Sequence, residues 1–182
     1  MKNKGIIVYT FAANKIGNKS VNKLYLLLGG NQGNTVQILQ SAHTLTTQKI
    51  GAITASSPIY ETAAWGKTDQ PNFLNQAIEV HTNLGAFEIL EQTQQIENQL
   101  GRQRNEHWGQ RTLDIDILFL NNEVINTGHL CIPHPEIQNR RFALVPLNTI
   151  SPELIHPVSE LSVARLLELC PDNLPVNLFK IF

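Results

Sequence analysis

The chain has 182 residues, 42% hydrophobic and 16% charged, which suits one globular core and excludes a disordered or fibrous chain. Fourteen Lys and Arg against fifteen Asp and Glu leave a formal charge of -1, so the overall balance draws the chain neither to nucleic acid nor to an anionic membrane. A phosphate-binding basic patch would have to be local.

Cys131 and Cys170 are far apart and lack a CxxC spacing, which suggests free thiols in a reducing compartment and a cytoplasmic protein. The opening "MKNKGIIVYTFAANKIGNKS" has a basic start and a short apolar run, but no small-residue cleavage site follows it. No stretch approaches the roughly 20 apolar residues of a membrane span. Residues 1 to 22 do not join the later pattern and read as an extension, with one domain over 23 to 182.

From Leu24, "LYLLLGG" has the continuous apolar character of a buried central strand, and "GGNQGNT" turns the chain. Val36, Leu39, Ala42 and Leu45 then recur at helical spacing, with Asn34 or Thr35 as N-cap. "AITASSPIYET" reads as a second strand in which Pro58 marks an edge or a bulge, and "FLNQAIEVHT" as a third after the loop "AAWGKTDQP". Phe87, Leu90, Thr93, Ile96 and Leu100 predict a second helical face, closed by a C′ glycine at Gly101. "LDIDILFL" is the fourth strand, turned at Asn121-Asn122 into a short hairpin with "EVI". "NRRFALVPLNTI" and "SVARLLELC" look helical, with Pro146 kinking or shortening the first. This order predicts an α+β, ferredoxin-like βαββαβ sandwich: a four-stranded, mostly antiparallel sheet with helices on one face, followed by a hairpin arm and C-terminal helices.

The fourth strand opens with two carboxylates. Side chains alternate along a strand and advance about 3.3 Å per residue, so Asp114 and Asp116 share a face with Cα atoms roughly 7 Å apart. That spacing suits a pair of divalent cations, and a carboxylate beside the apolar "ILFL" would be costly to desolvate without a cationic partner. A solvated strand end is the alternative. Just upstream, Arg102, Arg104 and Arg111 crowd into ten residues with His107 and Trp108. Guanidinium forks match phosphate oxygens, and carboxylate-held Mg²⁺ neutralises the other side of a polyphosphate, which makes a nucleoside triphosphate the economical ligand.

"GGNQGN" lacks the GK[ST] ending of a Walker A motif and does not fit GxGxxG, so its glycines are assigned to a tight turn. Trp65, Phe73 and Trp108 fall in or beside loops, where aromatic faces can sandwich a flat heterocycle whose polar edge an amide such as Asn75 could read. Phe73 and Asn75 could equally be ordinary strand residues. Gln94 and Glu97 share a helical face and aim at a site or at solvent. His134, between the prolines of "IPHPE", is structural taken alone, or with Arg140 frames ribose or phosphates; no second His or Cys at ligand spacing makes it a zinc site.

The stretches "HWGQRTLDIDIL", "SSPIYET", "DQPNFLNQAIEV", "GRQR" and "IPHPEIQNRRFALVPL" closely resemble the family of 6-hydroxymethyl-7,8-dihydropterin pyrophosphokinase, folate-pathway enzymes that move a pyrophosphoryl group from ATP to a pterin alcohol. The likeness runs from about Leu24 to about Pro157. It implies that Asp114 and Asp116 hold two Mg²⁺ ions on the triphosphate, and that Arg102 and Arg111 engage the phosphates with Arg104 nearby. Gln94, Glu97, Ile117, His134 and Arg140 would line the nucleotide site. Thr62, Ala63, Trp65, Phe73, Asn75, Trp108 and Phe142 would form the pterin pocket, with Asn75 on the heterocycle edge. ATP and a small pterin are the expected partners, with neither nucleic acid nor membrane, and the chain is expected to be a monomer.

The sequence departs from the family pattern at Gln110, where proline or a small residue is frequent, at Ala63 and Ala64, which replace a frequent proline, and at Trp65, usually a smaller aliphatic. The segment from Arg104 to Trp108 is also slightly short. Two other readings of the same residues are a regulator that holds ATP and Mg²⁺ without transfer, and a metal-dependent phosphodiesterase that activates water at Asp114 and Asp116.

Overall fold

The leucine run becomes the middle of β1 (Asn22–Gly30), with Leu24 to Leu28 buried on both faces, in a computed structural model that describes residues 21–64, 69–102 and 109–180. The expected extension therefore lies outside the described residues except for Val21 and Asn22, and Asn22 already starts the strand. Asn34, not Thr35, caps α1 (Thr35–Lys49), its Oδ1 accepting the Gln37 N–H at 3.2 Å.

The single strand expected in "AITASSPIYET" is two, β2 (Ala52–Ser56) and β3 (Tyr60–Thr62), each antiparallel to β4 (Phe73–Thr82). Pro58 has no N–H for the ladder, and Ser57 bridges the gap instead: its N–H donates to the Ala77 carbonyl at 2.9 Å while its hydroxyl accepts the Ala77 N–H at 3.1 Å. In α2 (Ala86–Gln99) the buried residues are Ala86, Ile89, Thr93, Ile96 and Glu97, so the predicted stripe is rotated and Phe87 is exposed. The stripe shifts because Glu97, a charged residue, belongs to the inward face. Gly101 follows the helix with φ +83, the left-handed geometry expected of a C′ glycine.

β5 (Asp114–Leu120) pairs with β1 through a bulge that turns both Leu118 and Phe119 to one side of the sheet. The hairpin after it differs from expectation. "EVI" does not fold back on β5; β6 (Ile125–Asn126) pairs with β7 (Cys131–Ile132). Asn121 causes the departure: its N–H donates to the Lys23 carbonyl at 2.8 Å and its Oδ1 accepts the Lys23 N–H at 2.9 Å, tying the turn to β1 and sending the chain off the sheet.

α3 (Arg141–Ile150) runs through Pro146 and is shortened at its start, leaving Asn139 and Arg140 outside it; α4 (Val163–Leu169) and β8 (Val176–Leu178) follow. The sheet order is β5-β1-β4-β3-β8, with β2 beside β3 on the same edge of β4, and every pairing is antiparallel. This is the ferredoxin-like βαββαβ unit, its second strand broken in two and its sheet extended by β8. Leu24, Leu26, Leu28, Ile78, Val80, Ile115 and Ile117 form one core with Leu39 and Ala42 of α1 and Ile89 and Ile96 of α2. Tyr25, Leu27, Ala77 and Phe119, on the other face, pack against Leu144 and Leu147 of α3 and Val163 and Leu166 of α4. The C-terminal helices are thus a second layer. Cys131 and Cys170 are free thiols, and among the described residues no helix is long and apolar enough to cross a membrane.

Candidate active site

α3 and α4 leave one end of their sheet face uncovered. There the antiparallel register sets Gly29 of β1 between Asn75 of β4 and Asp114 of β5, and Leu27 between Ala77 and Asp116. Because side chains alternate, Asn75, Asp114 and Asp116 rise from one floor while Ile115 and Ile117 point into the opposite core. Gly29 contributes no side chain to that floor, and a Cβ there would lie 2.7 Å from Asn75 Oδ1. The cleft above is lined by Leu27, Gly29, Thr62, Ala63, Gln70, Phe73, Asn75, Arg111, Asp114, Asp116, Arg140 and Phe142, and encloses about 710 Å³ with its mouth included.

Its two walls differ. On the β4 side, Asn75 is 3% exposed and its Nδ2 donates to Thr62 Oγ1 at 2.9 Å, which fixes the amide plane beside the Phe73 ring. Phe142 faces in from α3 with the Arg140 guanidinium 5.8 Å from its ring centroid. A flat heterocycle with donors and acceptors along its edge matches an aromatic wall next to a fixed amide.

On the β5 side the wall is charged. Arg102 pairs with Asp114 Oδ1 at 2.9 Å and also with Glu97; Arg111 pairs with Asp114 Oδ2; Arg140 is 3.6 Å from Asp116 Oδ2. Desolvation, followed by repulsion from Asp114, raises the Asp116 pKa to about 7. Burial likewise raises Glu97, against the opposing pull of the Ile115 N–H and of Arg102. His134 is lowered to about 4 by burial and then by the Arg140 charge, so the ring is neutral near pH 7. Its Nδ1 accepts the Glu136 N–H at 3.2 Å, and its Nε2 lies 3.4 Å from an Arg140 guanidinium nitrogen, itself a donor, so the ring faces N–H groups at both nitrogens. Arg140 Nε is buried and has no hydrogen-bond partner among the described residues, a donor left for an acceptor that a bound anion would supply.

Asp114 and Asp116 keep 24% and 28% of their side-chain surface exposed, both toward the cleft. Two hard carboxylates on one face of the strand fit Mg²⁺, which takes one or two protein carboxylates and completes its octahedron with water and phosphate oxygens. Among the described residues no cluster of three or more His, Cys, Asp or Glu forms an all-protein cage.

Of the residues expected from sequence, Thr62, Ala63, Phe73, Asn75, Arg111, Asp114, Asp116, Arg140 and Phe142 meet in this cleft. Arg102 reaches it through Asp114, and Glu97, 4% exposed, stands behind as partner of Arg102 and of the Ile115 N–H. His134 stands behind Arg140. Ile117 faces the core shared with α1 and α2, and Gln94 is exposed on α2. Trp65, Arg104 and Trp108 lie outside the described residues. Leu27, Gly29 and Gln70 were not anticipated. Not all glycines of "GGNQGN" serve the expected turn: Gly29 and Gly30 lie inside β1 and serve close approach, while Gly33, with φ +75, makes the turn.

Comparison with known proteins identifies the family and the fold. The family model described as 7,8-dihydro-6-hydroxymethylpterin-pyrophosphokinase matches residues 25–152. A Bacillus subtilis 2-amino-4-hydroxy-6-hydroxymethyldihydropteridine pyrophosphokinase is 48% identical over 130 residues, 71% of this chain and 78% of its own length. The enzyme of that name from Haemophilus influenzae is 35% identical over 155 residues, covering 85% of this chain and 96% of its own. Among solved structures, wild-type Plasmodium falciparum HPPK-DHPS with pterin and p-hydroxybenzoate superposes with a TM-score of 0.67 at 21% identity, covering 83% of this chain and 43% of that one. The likeness to that longer chain is one of fold.

Proposed function

The chain belongs to the 7,8-dihydro-6-hydroxymethylpterin-pyrophosphokinase family, and from that premise we propose how its residues divide the work of the reaction. The reaction transfers pyrophosphate from ATP to 6-hydroxymethyl-7,8-dihydropterin, giving AMP and the pterin diphosphate in folate synthesis. The observation that carries the assignment of roles is the split cleft, with a fixed amide and aromatic rings on one wall and two carboxylates among three arginines on the other.

The pterin lies against Phe73 and Phe142, and Asn75, held by Thr62, reads its edge, so that the hydroxymethyl oxygen is directed toward the charged wall. The triphosphate lies along Arg111, Arg102 and Arg140, with the orphaned Arg140 Nε as a further donor. Enzymes of this family use ATP with Mg²⁺, and here Asp114 and Asp116 would hold two such ions, which supply neutralisation of charge on the transferring group. The pterin oxygen attacks the β-phosphorus and AMP leaves; positioning and fixed charge lower the barrier, and no covalent enzyme intermediate is required. Arg102 and Arg111, paired with Asp114 in this structure, are the cations proposed to follow the charge as it moves.

Residues 23 to 182 are proposed to act as one pyrophosphokinase domain, and the free thiols Cys131 and Cys170 support a cytoplasmic location. Asp114→Ala or Asp116→Ala is expected to lower turnover by about a hundredfold or more with folding retained. Unchanged turnover in either variant contradicts the metal assignment.

A further inference from the structure

Asn31 is not among the residues to which the family resemblance assigns a role, yet its side chain bridges both walls of the cleft. It directly follows β1 and is 6% exposed. Its N–H donates to the Arg111 carbonyl at 3.0 Å and its Oδ1 accepts the Arg111 N–H at 3.0 Å, a two-bond clamp on the backbone of a cleft arginine. Its Nδ2 donates to the Pro71 carbonyl at 3.0 Å and to Gln70 Oε1 at 3.3 Å, and Gln70 also lines the cleft. Gly30 tightens the same junction, since a Cβ there would collide with the Thr112 carbonyl oxygen. Arg111 belongs to the charged wall and Gln70 to the segment that leads into Phe73 and Asn75.

We propose that Asn31 is a positioning residue that holds the phosphate wall and the pterin wall in one register, so that Arg111 and the Gln70–Pro71 segment are set together. The inference rests on the division of the cleft given above. A carboxamide suits the position because one side-chain atom must accept while the other donates. Aspartate keeps the acceptor and loses the donors; alanine loses both.

The test uses the full chain and three proteins: wild type, Asn31→Asp and Asn31→Ala. Steady-state constants for each substrate are measured alongside Tm and hydrogen exchange at the Arg111 amide. Asn31→Asp is expected to raise KM for the pterin about five- to hundredfold, the scale of two lost hydrogen bonds, with KM for ATP and Arg111 exchange close to wild type. Asn31→Ala is expected to raise both KM values, lower kcat and speed Arg111 exchange. A common loss in both variants that only follows Tm, or constants equal to wild type in Asn31→Ala, overturns the proposal. If the wild type shows no pterin-dependent AMP release, the division of the cleft falls, whereas Arg111 exchange slow in wild type and Asn31→Asp but fast in Asn31→Ala still supports the tether.

Discussion

Glu97 offers the sharpest test of how the charged wall is held. Its side chain joins three things: the Ile115 N–H, accepted by Oε1 at 2.8 Å, the Arg102 guanidinium, and α2 itself. Glu97→Gln keeps a carbonyl oxygen for Ile115 and loses the charge facing Arg102, which retains Asp114 at 2.9 Å. Replacing a charged hydrogen bond by a neutral one costs about 1 kcal/mol, and burial, which already raises the Glu97 pKa, offsets part of that. Glu97→Ala also strands the Ile115 N–H and half of a buried pair, for about 3–5 kcal/mol in all. For a chain of this length each kcal/mol moves Tm by about 2–4 °C, so the expected drops are about 2–4 °C for Gln and about 6–20 °C for Ala. Thermal unfolding followed by circular dichroism reads both, with turnover measured in parallel and expected to fall in both as Arg102 loses one of its two carboxylate partners. If the two variants lose equal stability, or Ala stays within about 1 kcal/mol of wild type, Glu97 is not the link between α2, β5 and Arg102.

The pterin wall and the acid response give two further expectations. Asn75→Ala removes the donor to Thr62 and the proposed edge reader, and is expected to weaken pterin binding about tenfold or more while leaving ATP binding near wild type; equal losses by titration calorimetry would count against the role. His43, whose Nε2 is 3.0 Å from Gln76 Oε1, is lowered by burial and folds best neutral. Its contribution is complete above the unfolded value near about 6.5 and fades as the pH falls toward the lower folded one, because the unfolded chain takes up the proton first. The raised Asp116 and Glu97 act in the opposite sense, so the informative quantity is a difference: His43→Gln should lose less Tm than wild type on acidification from about pH 7.5 to about pH 5.5. Identical losses would refute the assignment.

The period of two in a strand made Asp114 and Asp116 legible as a same-face pair, and Asn34 and Gly101 announced themselves as helix ends because each meets a local backbone need. What stayed hidden depends on partners distant in sequence. Asn75 and Gly29 are 46 positions apart and meet only through β-register. A glycine pair at a strand end looks like a turn until the facing Asn75 and Thr112 are known. Apolar residues alone do not define the α2 stripe, because Glu97 turns inward to meet Arg102 and Ile115. The break between β2 and β3 hinged on Ser57 substituting its hydroxyl for a ladder group, and β8 pairs with β3 from more than 100 positions away. Asn31 carried no motif; four hydrogen bonds to two separate segments give it meaning.

The central claim is that one cleft brings a pterin alcohol to the β-phosphorus of ATP, and AMP release from ATP and Mg²⁺, followed with and without 6-hydroxymethyl-7,8-dihydropterin, tests it most directly. AMP is expected only when the pterin is present, formed in step with the pterin diphosphate. AMP formed at the same rate without the pterin would mean that Asp114 and Asp116 serve hydrolysis, and no AMP from folded, ATP-binding protein would mean that the cleft holds a nucleotide without transferring from it.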